Sequence, residues 1–597
     1  MLKMKRFQTN DIFRSLKIVW NCSPKWTLVN AAVVVVKGIV PLMLIFIIQY
    51  LVDGVSILAL QANTKDVYLT LVNILLFAGG VFVLNAVLNS VSGIIREKHS
   101  FFITDAVQNM IHERTTSLNF VNYDDYNFQN IYYRAINEAN YRPSKIYYGF
   151  IGLVQNVITL ALIASLLASL HWFMLVGLIL ISIPVVIIRL NFSQKIYAFQ
   201  REHTEEERYV NYYNRLLTGK EFAKELRIFN LSKLFKQRFE ESKVDLRVKH
   251  FGMLKLKTKY ELLLQIIMAL ALISVFGYIS FQAVNGNLTQ GQMVMFFLAL
   301  YRGYSFLQDL LSQISGLYED GLFLKNLFEF MDHKELRKKQ SRSAVFPVPL
   351  KTGIIIEKVF FKYPNSSRHV FKNLNLNINK GETIALVGAN GAGKSTLVKL
   401  LCGLYEPDKG SIRADGVDIS TVSQQSISEN VSAVFQDFML YNFSAKENIW
   451  LGNISKSQND EAIVESAQKS GVNDLIQELP KGYETTLGTL FKDSEMLSVG
   501  EWQRIALSRS FFNDAQMVIL DEPTSSMDAF TETNLIENFK AITKGRTAII
   551  VSHRMSTIHL ADRIIVLDDF GVAEEGTPEE LLKKKGHFYQ MVESIGR

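Results

Sequence analysis

Gly388-Ala389-Asn390-Gly391-Ala392-Gly393-Lys394-Ser395-Thr396 is the stretch on which the reading of this chain turns. An apolar run of strand character, Thr383-Ile384-Ala385-Leu386-Val387, stands before it, and Leu397-Val398-Lys399-Leu400-Leu401, of helical character, follows. Strand, glycine-rich loop and helix in that order make a phosphate cradle. The glycines let the backbone wrap a polyphosphate closely, and the N–H groups at the helix start point at its negative charge. Lys394 is then expected to reach the β and γ phosphates, and the Ser395 hydroxyl to ligate Mg²⁺.

A second signal lies further on. Val518-Ile519-Leu520-Asp521-Glu522 is a hydrophobic strand ending in two acids. Ligands of parallel sheets sit beyond the carboxyl ends of the strands, so this position suits a metal site. Asp521 is expected to hold Mg²⁺ through water and Glu522 to orient or polarise the attacking water. Alone, the pair also fits an acidic turn at a strand end; a full phosphate cradle earlier in the chain favours the catalytic reading.

Over half of the chain precedes the cradle, and its composition differs. Of the 597 residues, 48% are hydrophobic and 20% charged, with 40 Phe and 23 Tyr. Long uncharged runs fill roughly the first 320 residues, whereas the remainder reads as an α/β protein. The net charge of +7 is scattered without a compact basic stripe, which argues against nucleic acid and for basic flanks of membrane spans. Cys22 and Cys402 lie far apart and lack metal-ligand spacing, so neither a structural disulfide nor a metal site is expected.

Six spans are predicted. The first runs from about Leu28 to Leu51 and carries Lys37, which must face a cavity, pair, or snorkel. The second, Val67 to Ile95, is uncharged. Tyr147 to Ile188 is too long for one span and divides near His171-Trp172. Leu262 to Tyr301 divides at the polar turn 282–291. Between spans lie two charged helical excursions, one breaking near Asn119 to Tyr126 and the other near Leu217 to Lys220. A helix of 25 residues reaches about 37 Å, enough to stand clear of a bilayer. Lys3, Lys5, Arg6, Arg14 and Lys17 put the amino terminus inside, and with it both excursions and the cradle. Residues 11–20 read as an amphipathic helix at the membrane surface or as a short cytosolic helix. The predicted organisation is an amino-terminal segment (1–27), a six-span domain (28–320), a linker (321–352) containing charged Lys334 to Gln340, and an α/β P-loop domain (353–597).

Further residues carry a family resemblance. Leu497-Ser498-Val499-Gly500-Glu501-Trp502-Gln503-Arg504 resembles the signature loop of ATP-binding-cassette proteins, with Val499 for the usual glycine and Glu501 for the usual glutamine. Tyr363 resembles the aromatic that stacks on adenine. Gln436 looks like the residue linking Mg²⁺ and water to the membrane domain, Asp528 like the acid of the D-loop, and His553 like the switch histidine near the γ-phosphate. Thr489 stands where exporters of this family usually carry a glutamate facing the intracellular loops.

The order of spans and cassette resembles an exporter half-transporter of bacterial type. That resemblance implies a homodimer in the cytoplasmic (inner) membrane, with the cassettes in the cytosol. Two ATP molecules would lie between the cradle of one chain and Ser498, Gly500 and Glu501 of the other. It makes Glu522, His553 and Gln436 the catalytic set. Tyr363, Gly388, Asn390, Gly391, Ala392, Gly393, Lys394, Ser395, Thr396, Gln436 and Asp521 would hold ATP, and Ser395, Gln436 and Asp521 would hold Mg²⁺. The excursion between spans four and five would meet the partner's cassette, and the turn near Tyr123 to Tyr126 mainly its own. Phe222 to Asn230 resembles the matching region of exporters of modified, lantibiotic-type peptides. Multidrug export, lipid export and a membrane-bound regulatory ATPase without transport are the alternatives.

Overall fold

The computed structural model describes residues 9–60, 65–139, 141–333, 342–568 and 570–595. Lys334 to Gln340, the charged core of the expected linker, lies outside them. The chain forms two compact units, Met1–Ser117 with Asn127–His333, and Leu118–Tyr126 with Lys334–Arg597.

The first unit is helical: α1 (Thr9–Cys22), α2 (Pro24–Leu60), α3 (Lys65–Thr116), α4 (Tyr126–Ala139), α5 (Arg142–Ala168), α6 (Phe173–Glu202), α7 (Thr204–Thr218), α8 (Ala223–Ile228), α9 (Ser232–Val284) and α10 (Gln290–Met331). At 1.5 Å per residue the 52 residues of α3 extend about 78 Å, more than twice a hydrocarbon core of about 30 Å. One helix therefore has the length for a span and the start of an excursion. Among the described residues, four helices are long and apolar enough to cross a membrane: Pro24–Ile57, Tyr68–Thr116, Arg142–Ala168 and Ser232–Val284. Leu75, Leu76, Phe77 and Val83 of α3 are exposed. In water such a surface would aggregate; against lipid tails it has no cost.

The expected breaks fall where the sequence carries turn chemistry. A short 3₁₀ turn, Phe120–Asp124, interrupts the first excursion, and Gly219 ends α7 in the second. Two details differ from the expectation. The return helix of the first excursion stops at Ala139 and the chain restarts at Arg142, because Pro143 in the first turn of α5 is suited to starting a helix and not to continuing one. The last helix of the unit runs to Met331, beyond residue 320, held at its start by a capping box between Thr289 and Gln292.

Packing in this unit has an apolar layer and a polar clamp. Ile45, Ile163, Ile279, Phe296 and Leu300 bring α2, α5, α9 and α10 together. At the opposite end of α5, buried Arg142 pairs with buried Asp320 of α10, and Lys145 lies 3.4 Å from the same carboxylate. The Arg142 guanidinium also sits 4.1 Å from the ring centroid of Phe323. Such a pair is tolerated in the interior because each charge is answered.

Among the described residues the second unit holds ten strands: β1 (Gly353–Lys362), β2 (His369–Asn379), β3 (Thr383–Gly388), β4 (Lys409–Ala414), β5 (Val417–Asp418), β6 (Val431–Val434), β7 (Met517–Asp521), β8 (Thr547–Val551), β9 (Arg563–Asp568) and β10 (Gly571–Gly576). An antiparallel sheet has the order β2-β1-β4-β5, and a six-stranded sheet the order β10-β9-β3-β8-β7-β6. In the latter, β3, β6, β7, β8 and β9 are mutually parallel where they pair. Strands β3, β7 and β8 are buried along their whole length, as parallel strands covered on both faces must be. The 3₁₀ turn from the first excursion belongs to this unit. Val121 packs on its core, the Phe120 ring meets Tyr405 edge-on at 5.6 Å, and the Tyr405 hydroxyl donates to Asp124.

Candidate functional site

Strand order explains why residues far apart in sequence converge. β3 leads into the cradle, β8 into Ser552-His553, β7 into Asp521-Glu522, and β6 towards Gln436, and these four strands are neighbours in that order. Their carboxyl ends open on a cavity of about 800 Å³ lined by Tyr363, the loop Ala389 to Thr396, Gln436, Asp521, Glu522 and His553.

Helix α11 (Lys394–Leu401) begins directly after the loop. Gly393, at its N-cap, has φ 98°, and a Cβ there would lie 2.8 Å from Val370 and Phe371. Gly388 has φ 152°, and a Cβ would lie 2.3 Å from the Leu567 carbonyl oxygen. Both positions therefore require glycine. The Lys394 ammonium donates to the carbonyl oxygens of Gly388 (2.7 Å) and Ala389 (3.1 Å), folding back over the loop it must serve. Burial lowers its pKa, and Glu522 and Asp521 oppose that shift.

Asp521 is buried; that burial raises its pKa, while a hydrogen bond from Ser395 works the other way. A carboxylate beside a hydroxyl, in an oxygen-only donor set, is the chemistry a hard divalent cation prefers. Glu522 has φ 51°, a strained left-handed conformation for a residue with a side chain. Two bonds hold it there: its N–H donates to the Val551 carbonyl (2.8 Å), and the Gln503 side chain donates to its own carbonyl (2.8 Å). The Glu522 carboxylate accepts from Gln436 Nε2 at 2.8 Å and lies 4.0 Å from His553 Nε2. Burial, then Lys394, lowers the His553 pKa. Tyr363 places its hydroxyl 2.9 Å from Thr396 Oγ1, so its ring borders the cradle.

The signature residues stand apart from this cavity. The helix Val499–Phe512 takes Ser498 as N-cap in a capping box: Ser498 N–H donates to Glu501 Oε2 (2.7 Å), and Glu501 N–H donates to Ser498 Oγ (3.3 Å). Val499 is exposed, and a Cβ on Gly500 would lie 2.5 Å from the Ser526 carbonyl oxygen. Asp528 accepts from Thr531 N–H (3.0 Å) and Thr531 Oγ1 (2.7 Å) at the head of the helix Ala529–Thr543. Thr489 donates its N–H to Asn442 Oδ1 at 3.2 Å, in place of a charged contact.

Several contributors went unread in the sequence. Arg368, His369 and Phe570 line the cavity from the start of β2 and the turn before β10. Gln503 was legible as part of the signature pattern, but its role is a brace: beyond Glu522 it donates to Ser525 Oγ (3.3 Å) and accepts from Ser526 N–H (3.2 Å).

Comparison with known proteins gives likenesses to one segment and to the whole of the chain. A family model described as ABC transporter matches residues 371–525. Over 99% of its length the chain is 28% identical to the subtilin transport ATP-binding protein SpaT of Bacillus subtilis, covering 96% of that protein. It is equally 28% identical, over 99% of its length, to the nisin transport ATP-binding protein NisT of Lactococcus lactis subsp. lactis, covering 98% of it. A solved structure of a bacterial Atm1-family ABC exporter with ATP bound superposes with a TM-score of 0.82 at 22% identity, covering 96% of this chain and 98% of that one.

Proposed function

We propose that this chain, an ABC exporter half-transporter in fold with an ABC transporter ATP-binding segment, hydrolyses ATP to export a modified or antimicrobial peptide across the bacterial cytoplasmic membrane. The observation that carries the ATPase is the convergence of Lys394, Ser395, Gln436, Asp521, Glu522 and His553 on one cavity. The peptide cargo rests on likeness along the whole chain to proteins named for subtilin and nisin transport.

In this reading the loop N–H groups and Lys394 take the phosphates, Lys394 exchanging its carbonyl contacts for phosphate oxygens. Tyr363 takes the adenine face. Ser395, Asp521 and Gln436 would hold Mg²⁺, which supplies charge neutralisation at the β and γ phosphates. Glu522 accepts a proton from the attacking water, and Gln436, bonded to it, holds its carboxylate in place. His553, whose pKa is lowered by burial, presents a neutral imidazole to the γ-phosphate edge of the site.

Ser498 and Gly500 are outside the cavity of their own chain, which supports a homodimer in which each signature closes the partner's cradle. The helical unit would contribute six spans per chain, with both cassettes in the cytosol. ATP binding would favour the closed cassette pair, and the turns of the two excursions would pass that preference to the spans.

Inside-out membrane vesicles containing the protein test the reading. ATP-dependent accumulation of a lanthionine-bearing peptide, lost in Glu522→Gln, is the expected result. Accumulation of lipid or dye but no peptide would move the cargo class. Hydrolysis without flux across a broad panel would favour a regulatory ATPase.

A further inference from the structure

Beneath the amino-terminal helix lies a second cavity, which the ATP chemistry does not use. It has a volume of about 280 Å³ and is enclosed by α1, α2 and α5, with Val19 and Trp20, Ala31 and Val34, and Phe150 and Val154 among its walls. Trp20, Ala31 and Phe150 are also exposed, so the cavity opens sideways at the surface of the helical unit. It is smaller than the roughly 300–1,000 Å³ of drug-sized sites, and so suits a single apolar chain.

Its walls are almost wholly apolar. Thr27 and Tyr147 line it, and Asn30 donates to the Tyr147 hydroxyl at 3.2 Å. Behind them His99 is fully buried, its Nε2 3.4 Å from Thr27 Oγ1 and its ring edge-on to Tyr147 at 4.4 Å. His99 Nδ1 has no hydrogen-bond partner among the described residues. Cations stand on the same helices or beside them. The Lys98 ammonium stands 4.6 Å from the ring centroid of Trp26, next to Thr27, and Lys17 and Lys25 are exposed on α1 and the first turn of α2.

We propose that this cavity is a binding site for one acyl chain of an anionic phospholipid of the cytosolic leaflet, with the headgroup held by Lys98 and the neighbouring lysines. An apolar slot open to the side, with Lys98 beside Trp26 next to Thr27 and with exposed Lys17 and Lys25 on the helices that wall it, matches the acyl chain and anionic headgroup of such a lipid. The site also has a mechanical connection. Arg14 of α1 pairs with Asp332, just past α10, at 2.6 Å and lies 4.2 Å from the ring centroid of Phe328. A lipid in the slot would touch α1 at Leu16, Val19 and Trp20, within two turns of Arg14. The inference rests on the membrane placement proposed above.

Native mass spectrometry of the full-length protein, purified in mild detergent and given equal phosphatidylglycerol and phosphatidylcholine, tests it. The expected result is one phosphatidylglycerol retained per chain, at least several-fold over phosphatidylcholine. Ala31→Phe, which fills the slot, should abolish that retention, and Lys98→Gln, at a surface cation, should bring the two lipids towards parity. Equal retention of both lipids by the wild type, or undiminished phosphatidylglycerol retention by both variants, overturns the proposal. ATP hydrolysis is measured on the same preparations, and peptide accumulation in inside-out vesicles carrying the same variants. Protein that transports peptide but retains no phosphatidylglycerol defeats the lipid site alone, whereas retention without flux counts only against the export reading.

Discussion

Gln436 donates its side-chain amide to the carboxylate of Glu522 at 2.8 Å, joining the second residue after β6 to the first after β7. The carboxylate is thereby oriented before any nucleotide enters, and the strained backbone of Glu522 aims it into the cavity. Glu522→Gln keeps the shape and removes the proton acceptor. ATP binding should persist while turnover falls on the order of 10²–10⁴-fold, the usual worth of a general base. A steady-state phosphate-release assay beside a nucleotide-binding assay checks both halves; full activity in the variant would refute the assignment.

The altered signature gives a second expectation. Glu501 keeps the capping box that a glutamine would make, so its effect would be not on the helix end but on the charge that the proposed homodimer would bring near a partner's phosphates. Val499 adds a β-branched side chain on an exposed surface where a glycine would give the backbone freedom. Restoring Val499→Gly with Glu501→Gln should raise ATP turnover several-fold in the purified protein. Glu501→Ala should lower stability by about 1 kcal/mol through loss of the cap, read as a lower melting temperature. Unchanged or slower turnover in the double variant would remove the argument.

What the sequence disclosed and what it withheld follow from range of interaction. The cradle and the Asp521-Glu522 strand end were legible because backbone geometry and apolar runs are local, and the structure places them on β3 and β7. Gly219 and Phe120–Asp124 were legible for the same reason, as turn chemistry between helical runs. The break before Arg142 was missed because Pro143 is as good a helix start as it is a helix stop. Arg368, His369 and Phe570 escaped because only the pairing of distant strands brings them to the cavity. Gln503 was legible as a signature residue, but its brace on the Glu522 carbonyl, 19 positions away, was not.

Asp415 ties the entry of the cassette to its sheet. Its carboxylate accepts from the N–H groups of Lys351 (2.6 Å), Thr352 (2.7 Å) and Gly353 (3.0 Å), and from Thr352 Oγ1 (2.6 Å). Desolvation raises its pKa, but these four bonds outweigh it and hold the group well below the usual carboxylate range. A depressed carboxylate stabilises the fold above its unfolded value near 4 and loses that stabilisation as pH falls through the folded value. Asp415→Ala should therefore melt several degrees below wild type at pH 7, and the gap should close in strong acid. A gap that stays constant with pH would deny the charge its role.

The Arg142–Asp320 pair clamps α5 to α10 in a buried setting. Removing Arg142 leaves buried Asp320 with only the solvent-exposed Lys145 as counter-charge, at a cost approaching the roughly 3–5 kcal/mol of a broken buried pair. Arg142→Met should sharply lower the melting temperature of the detergent-solubilised protein. Arg142→Met with Asp320→Leu should recover much of the loss, since an apolar pair leaves no uncompensated charge. Equal destabilisation in both would show that the pair is not the unit that matters.

Tyr405 and Asp124 supply the most direct test of how the cassette communicates with the helices. The Tyr405 hydroxyl donates to Asp124, its ring meets Phe120, and Asn365 reaches Asp125 at 3.4 Å, so the 3₁₀ turn is seated by several polar and aromatic contacts. Tyr405 also packs edge-on against Tyr363, at 5.4 Å between ring centroids, and Tyr363 borders the cradle. An aromatic path thus runs from the nucleotide cavity to the turn. Tyr405→Phe keeps the ring and loses the hydrogen bond; Tyr405→Ala loses both. Under a coupling role, peptide accumulated per ATP hydrolysed should fall modestly in the first and severely in the second, while hydrolysis itself stays within a few-fold of wild type. If transport and hydrolysis declined in parallel, the residue would be serving the nucleotide site through Tyr363, and the turn would need another route for its signal.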